Sequence, residues 1–211
     1  FHCGMDLKLK DDIDLWWGTP VFAFSWPNAE SVNSQLKDII LERSQQEPGL
    51  SRSNAGGWHS GDDLLSWPTP AVVNLKEWIL EGFNLATVRT GNGQGYKGRI
   101  QVSCWANVNG PGDSNDVHNH PNSAWSGVYY LDVGTPVDDA EKSGFINFFD
   151  PRSGAGMCED PFSLFGKGRH FKPLNGQMLM FPAWLMHAVS PYRGQGNRIS
   201  IAFNIALLDL M

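Results

Sequence analysis

Three histidines carry the clearest chemical potential in this sequence. His118 and His120 lie in Asn115-Asp116-Val117-His118-Asn119-His120, and His187 lies in Phe181-Pro182-Ala183-Trp184-Leu185-Met186-His187-Ala188-Val189. Residues two apart on a strand share a face, so an extended segment 117–120 aims both imidazoles of the first pair at one point. Neutral imidazole is a good ligand for divalent iron, nickel, copper or zinc. On its own, a two-residue histidine spacing suits surface or structural histidines equally well. The third histidine and the residues after it give the pattern its weight.

Eleven residues after His187 stands Arg198-Ile199-Ser200. On one strand Arg198 and Ser200 share a face and can clamp a carboxylate: the guanidinium offers a bidentate fork and the hydroxyl adds a donor. Tyr130, in Gly127-Val128-Tyr129-Tyr130-Leu131, offers a phenol to the same anion. A metal beside such a clamp suits a 2-oxo acid, which chelates through its keto oxygen and near carboxylate while the far carboxylate is held at the pocket bottom.

With these pieces in this order, the sequence resembles the 2-oxoglutarate and iron(II)-dependent oxygenase superfamily, particularly its prolyl-hydroxylase-like branch and a group of bacterial and phage oxygenases. That family reads His-x-Asp, then Tyr-Tyr-Leu on a strand, then Gly…Phe-Pro…His, and finally an Arg about ten residues on. The matching pieces are His118-Asn119-His120, Tyr129-Tyr130-Leu131, Gly176-Gln177-Met178-Leu179-Met180-Phe181-Pro182, His187 and Arg198, spread over roughly residues 100–207. The resemblance implies a mainly β fold, a double-stranded β-helix (a cupin-like jelly roll), with two N-terminal helices packed outside. It also implies iron(II) on His118 and His187, 2-oxoglutarate as cosubstrate with its far carboxylate on Tyr130 and Arg198, and hydroxylation of a C–H bond. Ser200 matches an Arg-x-Ser variant of some branches.

One position departs from that pattern: His120 stands where the family has aspartate. Three neutral imidazoles leave the full divalent charge on the metal, which still favours a dianionic 2-oxo acid. His118, His120 and His187 are the expected ligands. A rival set uses Asp116 with His118, also two apart; otherwise Asp116 orients a ligand histidine from behind. Three-histidine iron sites are similar to those of cupin dioxygenases that do not use 2-oxoglutarate. A barrel that binds metal or carboxylate without catalysis is a third reading, because function lives in the site and not in the fold.

Other residues carry less. Asn107 and Asn204 sit on predicted strands and either line the pocket or are satisfied buried amides. Trp105, Trp125 and Phe203 read as core or pocket wall. His59, beside Trp58 and Ser60 in a Gly-rich loop, belongs to a plain surface loop or to a substrate lid. His170 is expected to face solvent, and His2 carries no functional weight. Asp150-Pro151-Arg152 reads as a salt-bridged turn or a charge near the pocket mouth. Gly91-Asn92-Gly93-Gln94-Gly95 lacks the Gly-Lys-Ser/Thr of a phosphate loop, and Ser126-Gly127 lacks a nucleophile elbow.

The elements that must position these residues fall into two regimes. Val21–Trp26 reads as a strand. A helix capped by Asn28 or Ser31 follows, with Val32, Leu36, Ile39 and Ile40 on one face. Residues 45–61 read as loop. Thr69 caps a second helix with Pro70 in its first turn and a stripe of Val72, Leu75, Ile79, Phe83 and Ala86. From Arg99 onward the pattern shifts to short segments: Ile100–Asn107, Val117–His120, Ser126–Val133, Phe145–Phe149, Gln177–Phe181 and Arg198–Leu207. Strands this short and numerous predict a sandwich or barrel. One domain over residues 1–211 is expected, with a helical portion at about 28–90 and a β core at about 96–207.

A net charge of −6 argues against a nucleic-acid footprint or a polybasic membrane surface. Cys3, Cys104 and Cys158 are odd in number and form no CxxC pair, which favours a reduced, cytoplasmic setting over a disulfide framework. Phe1–Gly4 precede Met5, which the sequence offers as a native start. No apolar run is long enough to span a membrane. The implied partner is a small-molecule or peptide substrate, which no motif specifies.

Overall fold

The computed structural model describes residues 18–27, 29–91, 93–137, 142–157 and 168–209. His2, Cys3, Met5, Asn28, Asn92 and Cys158 lie outside the described residues.

Two helices follow the first strand, β1 (Phe22–Ser25). Helix α1 (Glu30–Gln46) buries Leu36 and Ile40 completely, and Val32 and Ile39 pack at the margin of the same core. Its cap position is Ala29 and Ser31 lies within the first turn, so Ser31 is not the cap. Glu30 sits instead where a carboxylate favours the positive helix end, and Arg43 bonds Glu47 at the other end. Helix α2 (Pro70–Thr90) starts after Thr69, whose backbone is extended and whose side chain makes no capping bond. Its buried side chains include Val72, Leu75, Ile79, Phe83 and Ala86, the 3–4 spacing of a single apolar stripe. Gly82 lets α2 approach β1 closely, since a Cβ there would stand 3.3 Å from the Phe24 ring.

Two antiparallel sheets form the body. The larger runs β1, β10 (Gln177–Pro182), β6 (Trp125–Asp132), β13 (Arg198–Leu207), β4 (Ile100–Asn109), β3 (Trp58–His59). The smaller runs β2 (Asn54–Ala55), β5 (Ser114–His118), β11 (His187–Val189), β8 (Ile146–Phe148), β9 (Arg169–Phe171). A two-stranded ribbon pairs β7 (Thr135–Pro136) with β12 (Gly194–Gln195). This is a double-stranded β-helix with both helices against the outer face of the larger sheet.

Period-two alternation sorts the larger sheet into two chemistries. On β13, Ile199, Ile201, Phe203 and Ile205 join the helix-facing core, as do Cys104, Ala106 and Val108 of β4. The alternate residues, Arg198, Ser200, Ala202 and Asn204 with Ser103, Trp105 and Asn107, line a cavity between the sheets. Apolar core therefore lies under the helices and polar groups lie inside the roll.

The structure corrects two expectations. The strand expected at 117–120 is Ser114–His118, and His120 lies beyond it. Pairing between β5 and β11 ends at His118 opposite His187, and the next partner of this segment is Ala183, whose carbonyl accepts the His120 N–H at 2.9 Å. The segment read as loop at 45–61 begins with the end of α1 and supplies two edge strands, β2 to the smaller sheet and β3 to the larger. Gly56, with φ +79, makes the crossing between them possible, because a Cβ there would collide with the Asp113 carboxylate. No helix among the described residues is long and apolar enough to cross a membrane.

Candidate metal centre

His118 is the last residue of β5 and His187 the first of β11, and the two are directly opposite in the antiparallel register. Their ring centroids are 4.3 Å apart. His120 comes over from the turn after β5, 5.0 Å from the His118 ring and 5.1 Å from the His187 ring. One nitrogen from each ring falls within 4.8 Å of the others. His120 Nε2 and His187 Nε2 are 3.3 Å apart, and Ser53 Oγ lies 3.4 Å from His118 Nε2.

Backbone carbonyls decide which nitrogen faces inward. His118 Nδ1–H donates to Asp116 O at 2.7 Å, and His187 Nδ1–H donates to Leu185 O at 2.8 Å. Both rings therefore present an Nε2 lone pair to the cluster. Burial pushes the His120 pKa down to about 3, with His187 and His118 adding to the effect. Burial and His118 bring His187 to about 4, and burial lowers His118 as well. Neutral imidazoles whose ring nitrogens converge fit a divalent transition metal and leave its charge uncompensated. Asp116 is exposed and its carboxylate is not in the cluster; its contribution is the backbone oxygen behind His118.

The same cavity, of about 390 Å³, contains the predicted anion clamp. Arg198 is 2% exposed, and no carboxylate among the described residues pairs with it. Its Nη1 donates to Ser200 Oγ at 3.5 Å, its guanidinium lies 5.5 Å from the Tyr130 ring centre, and its Nε has no partner among the described residues. The buried Tyr130 hydroxyl has none either. Burial lowers the Arg198 pKa and raises that of Tyr130. A buried cation beside an unpartnered hydroxyl is costly until an anion satisfies both. Gly144, at φ +64, leaves room for this arrangement: a Cβ there would stand 3.0 Å from Arg198 Cδ and Nε.

Cross-strand register lays the cavity floor in rows. His59, Asn107, Ser200 and Tyr130 are successive partners across β3, β4, β13 and β6. Trp105, Ala202 and Val128 form the next row, and Ser103, Asn204 and Ser126 the one after. Both asparagines thus line the pocket. His59 is the site residue that the sequence placed wrongly: it is 4% exposed, stacks on Trp105 at 5.4 Å and donates from Nδ1 to Ser60 O. Its burial follows from the pairing of Trp58–His59 with β4, which Gly- and Ser-rich flanks conceal. Phe203 packs on the helix side, with Trp125 at the margin of that core. His170 is exposed, and Asp150 pairs with Arg152.

Comparison with known proteins supports the fold. The family described as "Putative 2OG-Fe(II) oxygenase" matches residues 103–204. Among solved structures, a prolyl-4-hydroxylase of Pseudomonas putida is 16% identical with a TM-score of 0.62, covering 91% of this chain and 94% of its own. A prolyl hydroxylase of Trichoplax adhaerens, solved with a hypoxia inducible factor oxygen degradation domain peptide, is 15% identical with a TM-score of 0.62 over 88% and 83%. HygX of Streptomyces hygroscopicus, solved with nickel and 2-oxoglutarate, is 14% identical with a TM-score of 0.59 over 92% and 85%. No curated protein sequence matches significantly.

Proposed function

We propose that this chain, whose residues 103–204 match the family described as "Putative 2OG-Fe(II) oxygenase", is a non-haem iron oxygenase whose three-histidine centre works with 2-oxoglutarate to hydroxylate a small-molecule or peptide substrate. The observation that carries this reading is the buried, unpaired Arg198 beside the unpartnered Tyr130 hydroxyl, in one cavity with His118, His120 and His187. Iron held by these three histidines would supply dioxygen activation, which no side chain provides. Arg198 and Tyr130 would hold the far carboxylate, Ser200 would fix the guanidinium, and the apolar walls at Val128, Phe181 and Ala202 would exclude water.

The donor set favours a second reading: a three-histidine dioxygenase that binds its substrate directly and needs no 2-oxoglutarate. The observation behind it is that no carboxylate among the described residues joins the metal-binding group. In that case Arg198 would take a carboxylate of the substrate. Oxygen uptake by the iron-loaded protein separates the two. The first reading expects uptake that requires 2-oxoglutarate and releases succinate. Uptake with a carboxylate substrate and no 2-oxoglutarate would establish the second, and metal and carboxylate binding with no uptake under either condition would leave a non-catalytic barrel.

A further inference from the structure

Two of the three clustered histidines have a backbone carbonyl behind Nδ1; His120 has a side chain there instead. The Asn204 carboxamide, on β13, lies 3.2 Å from His120 Nδ1 through Nδ2, while its Oδ1 is buried without a partner among the described residues. With Nδ2 donating, His120 must carry its proton on Nε2, and that N–H points at His187 Nε2 3.3 Å away. In that state His120 offers no lone pair to the cluster. Turning the carboxamide over exchanges two groups of nearly equal shape. Oδ1 then accepts from His120 Nδ1–H, Nδ2 takes the place that Oδ1 left, and His120 presents Nε2 as His118 and His187 do.

We propose that Asn204 is the positioning residue for the third ligand: its Oδ1 holds His120 in the Nδ1–H tautomer and so makes a three-nitrogen site out of a two-nitrogen one. This rests on the reading of the three histidines as a metal site. The sheet makes the role possible. Asn204 is two residues from Ala202 and six from Arg198 on the cavity face of a strand paired on both sides, to Ser103 of β4 and Ser126 of β6, so its Cα cannot drift from His120. The proton count is unchanged by the switch, because one proton leaves Nε2 and one is taken up at Nδ1 of the same ring.

The test uses the full chain freed of metal and titrated with zinc(II) against a chromophoric chelator. Asn204→Leu keeps the side-chain size and removes the acceptor; Asn204→Asp keeps an acceptor at the same place. We expect Asn204→Leu to weaken zinc binding by roughly 10–100-fold, the usual effect of removing a group behind a ligand histidine. Asn204→Asp should bind at least as tightly as the parent. Long-range ¹H–¹⁵N correlation on labelled histidine supplies a readout that simple misfolding would not mimic: in the zinc-loaded parent and in Asn204→Asp the His120 Nδ1–H is slow to exchange, and in Asn204→Leu it is fast while those of His118 and His187 stay slow. Equal zinc affinity in the parent and Asn204→Leu would overturn the role of Asn204 and leave the site intact. Equal losses in the Leu and Asp variants would also overturn it. Failure of the parent to bind zinc would overturn the three-histidine site and this role together.

Discussion

His118 and His187 are cross-strand partners on β5 and β11, with ring centroids 4.3 Å apart, and each donates Nδ1–H to a backbone carbonyl two residues before it. The backbone pairing therefore sets the separation of the two rings, and the two carbonyls set the nitrogen each turns inward. That arrangement predicts that metal binding depends steeply on either ring. Replacing His187 with Ala should weaken iron(II) or zinc(II) binding by at least about 100-fold, since a chelate of three imidazoles loses one. Isothermal titration would show it, with thermal unfolding of the metal-free variant as the control for folding.

The three imidazoles also make the metal-free protein sensitive to acid. Their folded pKa values lie below the ordinary 6.5, at about 3 for His120 and about 4 for His187, because burial opposes the charged form. Between those values and 6.5 the unfolded chain binds more protons than the folded one, so stability is full above pH 6.5 and falls as pH drops toward about 4. Urea unfolding across this window should show the loss, on the order of a few kcal/mol for the coupled cluster. His120→Asn should flatten the slope, and a slope unchanged by that variant would place the titrating groups elsewhere.

Arg198 makes a prediction in two opposite directions. In the ligand-free protein it is a buried cation with no carboxylate partner among the described residues, so Arg198→Met should leave thermal stability unchanged or raise it. The same variant should lose 2-oxoglutarate binding by about 2–5 kcal/mol while retaining metal, because the bound carboxylate loses a buried cationic partner. Differential scanning calorimetry with and without 2-oxoglutarate measures both effects. A large drop in ligand-free stability would show that Arg198 is already satisfied by the protein.

Gly144 should matter to the same ligand although it need not touch it. Its φ of +64 and the 3.0 Å that would separate a Cβ from Arg198 Cδ make Gly144→Ala costly, by about 1–3 kcal/mol of stability, and force the guanidinium to shift. Loss of 2-oxoglutarate affinity with unchanged zinc affinity is the expected signature in parallel titrations.

Much of this was legible in the sequence because it rests on local pattern. The apolar stripe of α2 and the bounds of β13 follow from periodicity, and Arg198 with Ser200 follows from two-residue spacing on that strand. The position of His120 was not legible, because whether a strand continues is decided by its partner: β11 begins at His187, and Ala183 instead receives the His120 N–H. Strands of two or three residues, such as β2, β3 and β11, are too short to show a period. His59 was hidden for the same reason. The Asn204 contact joins residues 84 apart, and only the folded sheet brings them together.

The proposed function requires the metal and the Arg198 clamp to serve one ligand. Iron(II) added to metal-free protein without oxygen, followed by titration with 2-oxoglutarate, tests this through the visible absorption spectrum. A weak, saturable charge-transfer band is predicted, lost in His187→Ala and shifted to much higher 2-oxoglutarate concentration in Arg198→Met. Iron bound with no band at any 2-oxoglutarate concentration would contradict it and leave the three-histidine dioxygenase that needs no 2-oxoglutarate.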